Sequence, residues 1–259
     1  MQDNPILEAM LRRKSIRKYT SQIPPDDIIT SVVRAGQQAA FASQLGSIML
    51  SRDGKKHPLG APLLFTILVD LHKMELIMAQ RNWKMVTNDL SMLLFGIQDA
   101  SLMAENMVIA AESLGMGSCF LGMIPYAAAH FARKHKLPRH VFPLVQLAMG
   151  YPDEAPPPRP RYPMDFVLFE DEYPEFNEQT VKEAMKVMDD GYMAQSYYRD
   201  ANLMIPLEGD REETYSFDTY GWTEHISRKW GQWNSSVEEL LEQFAECGFS
   251  FTDEKEQSK

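Results

Sequence analysis

The chain has little of what most catalytic site chemistries need. Two cysteines in 259 residues, Cys119 and Cys247, lie far apart and share no CxxC or Cys/His spacing, so neither a disulfide framework nor a zinc site is indicated. The six histidines are scattered without an HExxH pattern, which removes the commonest metal-hydrolase reading. No apolar stretch reaches the length of a membrane-spanning helix, and Met1 to Pro5 shows neither a basic region nor an apolar run. A cytoplasmic location, without membrane contact, is therefore the default expectation. Positive charge is also scarce: the net charge is -10 and the pI about 5.1, which argues against nucleic acid as a partner.

Against that acidic background two basic clusters stand out, Arg12-Arg13-Lys14-Ser15-Ile16-Arg17 and Pro158-Arg159-Pro160-Arg161-Tyr162-Pro163. Arginine offers a planar fork of donors that matches phosphate oxygens, and serine adds a hydroxyl, so each cluster is a candidate anion site. Each also has a plainer reading. Cations at a helix end complement the helix dipole, and a Pro-Arg-Pro-Arg stretch suits an extended surface loop.

With 44% hydrophobic and 24% charged residues, the chain reads as one main domain with an appendage, large enough to bury a core. Apolar spacing predicts helices over Asn4 to Lys14 and, after the start signal Pro24-Pro25-Asp26-Asp27, over Ile28 to Ala40. Strands are predicted at Ser47 to Arg52, Leu63 to Asp70, Cys119 to Gly122, Phe142 to Met149 and Asp165 to Glu170, with a turn at Asp53 to Lys56. The second strand is an almost unbroken apolar run, as expected where both sheet faces are covered. Between them, Leu90 to Leu114 reads as a long central helix closed by Gly115, apolar nearly all round except for a narrow stripe including Asp99, Glu105 and Glu112. Ala127 to Lys136 adds a helix. The segment from Tyr173 onward is polar, aromatic and acidic, with helices near Glu178 to Met188, Thr223 to Trp230 and Val237 to Cys247.

Taken in order, these pieces resemble the nitroreductase family of FMN-dependent oxidoreductases. Arg13-Lys14-Ser15-Ile16-Arg17 is similar to the family's N-terminal phosphate-gripping motif. Asp99 to Met107 through Ala111 to Gly117 resembles its central helix and glycine-rich exit. Leu147-Ala148-Met149-Gly150-Tyr151-Pro152 followed by Arg159-Pro160-Arg161 resembles the strand and loop that bring a second basic pair to the phosphate. Trp222-Thr223-Glu224-His225-Ile226 resembles a Trp-Ser-Asp-His-Ile segment of the larger, NADPH-preferring nitroreductase and flavin reductase branch.

The resemblance implies an α+β fold: a mixed, largely antiparallel sheet flanked by helices around a long buried central helix. It implies an FMN-binding domain over residues 1–172, a mostly helical extension over 173–259, and an intertwined homodimer. It implies FMN contacts from Arg13, Lys14, Ser15, Arg17, Ser43, Gln44, Gly122, Arg159 and Arg161, with Arg17 at either the phosphate or the ring. Arg211 would meet a nicotinamide donor, NADPH or NADH, although its neighbours Asp210, Glu212 and Glu213 are acidic. Where relatives carry a serine-rich stretch, this chain has Ala39-Ala40-Phe41-Ala42-Ser43-Gln44. The implied activity is ping-pong NAD(P)H oxidation through flavin N5, delivered to a nitroaromatic, quinone or free flavin, with no side chain required as acid or base. The alternatives are a dedicated flavin reductase, a reductive enzyme for one substrate, or an FMN-binding protein without turnover.

Overall fold

A computed structural model of the chain describes residues 4–234 and 236–251. They divide into two compact units, one built from 4–156 and 236–251 and the other from 157–234.

In the first unit the elements run α1 (Pro5–Arg12), α2 (Asp26–Gln37), β1 (Gly46–Ser51), β2 (Leu63–Asp70), α3 (His72–Gln80), α4 (Asp89–Ser113), β3 (Gly117–Leu121), α5 (Ala128–His135) and β4 (Val141–Gly150). The four strands form one antiparallel sheet in the order β1-β2-β4-β3. The sheet is therefore antiparallel throughout rather than mixed, with an isolated parallel bridge from Ser15 to Ser118 beside it. Alternation in β2 explains why its apolar run is unbroken. Leu63, Phe65, Ile67 and Val69 enter the main core, whereas Leu64 packs with Ala61, Cys119 and Ala148 in a second cluster. The main core also takes Leu93, Ala100, Ala104, Met107, Val108 and Ala111 from α4.

The burial of α4 is one-sided. Leu90, Leu94, Phe95 and Leu102 are 46 to 54% exposed, whereas another face of α4 packs on the sheet and α2. No helix of the described residues is long and apolar enough to cross a membrane.

The chain returns to the first unit through a last helix, so the segment expected at Val237 to Cys247 does not belong with the extension. There Phe244 stacks on Phe142 at 4.1 Å, Ala129 N–H donates to Gln243 Oε1 at 3.0 Å and His140 N–H donates to Cys247 O at 2.8 Å. The second unit begins before it, at residue 157 rather than 173.

That second unit holds α6 (Glu178–Ala194), α7 (Tyr197–Asp200) and α8 (Trp222–Gln232), and α9 (Val237–Glu246) is the returning helix. Asp189 ties α6 to α8 by accepting from the Thr223 N–H and hydroxyl at 2.7 and 2.6 Å. Tyr198 is buried among Tyr192, Tyr197, Tyr220 and His225, Trp222 packs on Tyr162 and Tyr192, and Trp230 stacks on Trp233. The strand expected at Asp165 to Glu170 is absent. Met164–Phe166 is a single tight turn. Val167 and Leu168 stay exposed, and Phe166 and Phe169 turn instead onto Phe176 and Tyr173, so the local aromatics replace a sheet partner.

Candidate cofactor site

The first basic run leaves α1 as extended chain. The Asn4 side chain caps that helix by accepting from Ile6 and Leu7 N–H, and Arg12 pairs with Glu8 at its other end. Beyond it, Ile16 N–H donates to Ser118 O at 2.9 Å, docking the run beside β3. The docking needs Gly117, since a Cβ there would fall 2.4 Å from Ile16 Cγ1. Arg17 and Lys18 N–H both donate to Glu154 Oε1, while Asp153 N–H reaches Lys18 O and Thr20 N–H reaches Tyr151 O, each at 2.9 Å. The Tyr19 hydroxyl stands 2.6 Å from Ile16 O and 3.1 Å from Ala148 O, and burial pushes its pKa up, so it remains a donor.

Backbone bonds thus hold the run while its charged ends are left over. Arg13 rests 5.8 Å above the Phe120 ring, and Lys14 and Arg17 form no side-chain ion pair or hydrogen bond among the described residues. A cavity of about 480 Å³ opens here, lined by Arg12, Lys14, Ile16, Glu112, Gly115 and Pro152. Burial raises the Glu112 pKa, opposed by the Lys14 backbone and the Arg13 charge, and its Oε1 has no partner. The Ser118 hydroxyl is likewise buried without one.

Gly122 stands in the turn after β3, and a Cβ built on it would meet nothing within 4 Å. Its backbone faces open space, as close approach by a flat ligand requires. Ser43 and Gln44 sit in the loop between α2 and β1, with Gln44 in a left-handed conformation at φ 52°. The Asp99 carboxylate of α4 accepts from Ala42, Ser43 and Leu45 N–H at 2.6, 3.0 and 2.9 Å.

Comparison with known proteins follows the same outline. Residues 52–151 match the Nitroreductase family profile. The chain is 29% identical over 229 residues to the FMN reductase (NADPH) of Bacillus subtilis, covering 82% of this chain and 89% of that one. It is 26% identical over 261 residues to an NADPH-dependent oxidoreductase of Staphylococcus epidermidis, covering 94% and 97%. Among solved structures, B. megaterium NfrA2 superposes with a TM-score of 0.82 at 23% identity, covering 96% of this chain and 100% of that one. The chain is thus similar to the nitroreductase family in sequence over residues 52–151, and it shares the fold of B. megaterium NfrA2.

The remaining expected residues fall in the second unit, where Arg159 and Arg161 are held by their own surroundings. The Arg159 guanidinium lies 4.0 Å over Tyr197 and donates to Gln195 Oε1 at 2.6 Å, and Gln195 Nε2 donates back to Pro158 O at 2.9 Å. Arg161 Nη1 donates to Pro160 O and Arg159 O. Arg211 is exposed. Its acidic neighbour Glu213 is already engaged by Arg228 through two bonds of 2.6 and 2.7 Å, which draw its pKa down to about 2. His225 of the tryptophan-led segment stacks on Tyr198 at 4.6 Å, where burial lowers its pKa.

Sequence reasoning missed a second cavity, of about 500 Å³, in the first unit. Ser51 Oγ lies 2.8 Å from His57 Nε2, and His57 Nδ1 lies 2.9 Å from Ala61 O, so a proton on Nδ1 leaves Nε2 to accept from the serine. Gln146 Nε2 donates to Thr66 Oγ1 on the same lining. The available signal was a polar residue at one alternating position of each apolar strand, Thr66 in β2 and Gln146 in β4.

Proposed function

We propose that the chain is an FMN-dependent NAD(P)H oxidoreductase that reduces a nitroaromatic, a quinone or a free flavin. The observation that carries this reading is the first basic run, docked beside β3 through its backbone so that Arg13, Lys14 and Arg17 keep their charge available, with Gly122 in the open turn that follows the same strand. Bound FMN would supply the two-electron hydride chemistry between donor and acceptor. Every other task falls to the chain's own residues.

Arg13 and Arg17 offer guanidinium forks to phosphate oxygens, Ser15 a hydroxyl and Lys14 a point charge. Arg159 and Arg161 are proposed phosphate contacts from the second unit, the first pre-set by its stack on Tyr197. Gly122 would let a ring approach the backbone, and Ser43 and Gln44 would meet a polar ring edge. Arg211 would meet the donor, and the engagement of Glu213 by Arg228 removes one of the charges that would oppose a 2′-phosphate. That favours NADPH, the donor named for the relatives above. We further propose a homodimer, because Ile6, Leu7, Met10 and Leu11 of α1 and Leu94, Phe95 and Leu102 of α4 are exposed, and a second copy would take these apolar side chains out of water.

Anaerobic titration of the purified protein with NADPH and NADH tests the reading. A yellow protein, or one that turns yellow with added FMN, is expected to be bleached by NADPH and recoloured by a quinone or nitroaromatic. A colourless preparation that takes up no FMN would overturn the cofactor assignment, and a yellow one that neither donor bleaches would overturn the enzymatic one.

A further inference from the structure

Asp99 is a buried carboxylate, 3% exposed, in the α4 face that otherwise delivers Leu93, Ala100 and Ala104 to the core. Placing an ion there is costly, and it is tolerated only where charge-assisted hydrogen bonds satisfy the oxygens. Here all those bonds go to one loop: Oδ1 accepts from Ala42 N–H and Oδ2 from both Ser43 and Leu45 N–H. The residue bracketed by these contacts is Gln44, held at φ 52°, a conformation that a non-glycine residue adopts only when its surroundings impose it.

The far side of the loop is pinned as well. Asp70 N–H donates to Leu45 O at 2.7 Å, and Lys73 Nζ donates to Gly46 O at 2.5 Å and to Ser47 Oγ at 3.2 Å. Ser43 and Gln44 stand between these fixed ends and border a cavity of about 360 Å³ shared with Phe41, Lys73 and Met74. Gln44 and Lys73 also line a smaller one, of about 90 Å³, that reaches Asp99.

We propose that Asp99 is a positioning residue for the flavin site, holding Ser43 and Gln44 in the shape that receives the ring edge. The inference rests on the flavin reading above. It assigns the carboxylate a task beyond fold stability: a loop with its geometry set before the ligand arrives binds without the loss in affinity that a rarely populated geometry imposes.

In Asp99→Asn an amide NH2 replaces one oxygen, so either the Ala42 N–H or the Ser43 and Leu45 N–H pair loses its acceptor. The FMN dissociation constant, measured by flavin fluorescence, is expected to rise about tenfold, together with a shift in the reduction potential of the bound flavin. Val32→Ala, in the core of α2, serves as the control for general destabilisation. Flavin affinity and potential equal to those of that control, compared at matched melting temperature, would overturn the proposal. Wild-type protein provides a second arm: amide hydrogen exchange at Ser43 and Leu45 should already be slow without FMN. Fast exchange that slows only on adding FMN would mean that the ligand, not Asp99, shapes the loop. Wild type that binds no FMN at all would instead fail the flavin reading, and the positioning role with it.

Discussion

In the first basic run the backbone is fixed and the side chains are left over, with Ile16 N–H on Ser118 O and Arg17 and Lys18 N–H on Glu154. In the second run the side chains themselves are engaged, Arg159 by Tyr197 and Gln195 and Arg161 by two carbonyls of its own loop. Backbone anchoring leaves charge available to an anion. Side-chain anchoring fixes the direction of a guanidinium but uses some of its donors before any ligand arrives.

The sharpest way to break this contrast is to undo the backbone docking. Gly117→Val forces a side chain into the space of Ile16, which is buried, and should lower stability by about 1–3 kcal/mol. Thermal denaturation reports it, and a melting temperature equal to wild type would show that the glycine contact does not seat the run. Next in size is a pair of variants compared for flavin affinity. Arg17→Ala removes a charged donor and should weaken FMN binding by about tenfold or more. Gln195→Ala removes only a holder of Arg159 and should cost about threefold. Equal effects would erase the distinction between the two runs.

The smallest effect concerns Glu112, whose pKa is raised from the ordinary 4.5 by burial. A carboxyl that holds its proton more tightly in the folded state than in the unfolded one penalises folding when ionised. The penalty is full above the raised pKa and fades as pH falls toward 4.5. Glu112→Gln should therefore melt above wild type near neutral pH and converge with it in acid. A gap independent of pH would assign the effect to packing rather than charge.

Much of the first unit was legible because its signals are local. The apolar run from Leu63 to Asp70 is a strand over that full span, and the central helix begins one residue before its expected start and ends one before its expected end. The failures arose where an apolar run had no sheet partner or where a contact crossed long sequence distance. Phe166-Val167-Leu168-Phe169 is a short apolar run like that of a strand, but its aromatics found Tyr173 and Phe176 instead. Nothing in the sequence marks His72–Gln80 as a helix with the clarity of α2, because its apolar residues follow no clean stripe and it buries none fully. The basic run could be read as a site from residue types alone. The role of Asp99 could not, since it acts on a loop more than fifty residues away in sequence and there looks like one polar residue in a helix stripe.

The tryptophans are unevenly shared between the units. Of the four, Trp222, Trp230 and Trp233 lie in the second unit and only Trp83, 70% exposed, in the first. Intrinsic fluorescence of this protein is accordingly a local gauge. The emission change on unfolding will come almost entirely from the α6 to α8 unit, while circular dichroism, which weighs the whole backbone, will follow the sheet and α4 as well. Divergence between the two melting curves would reveal whether the units come apart together.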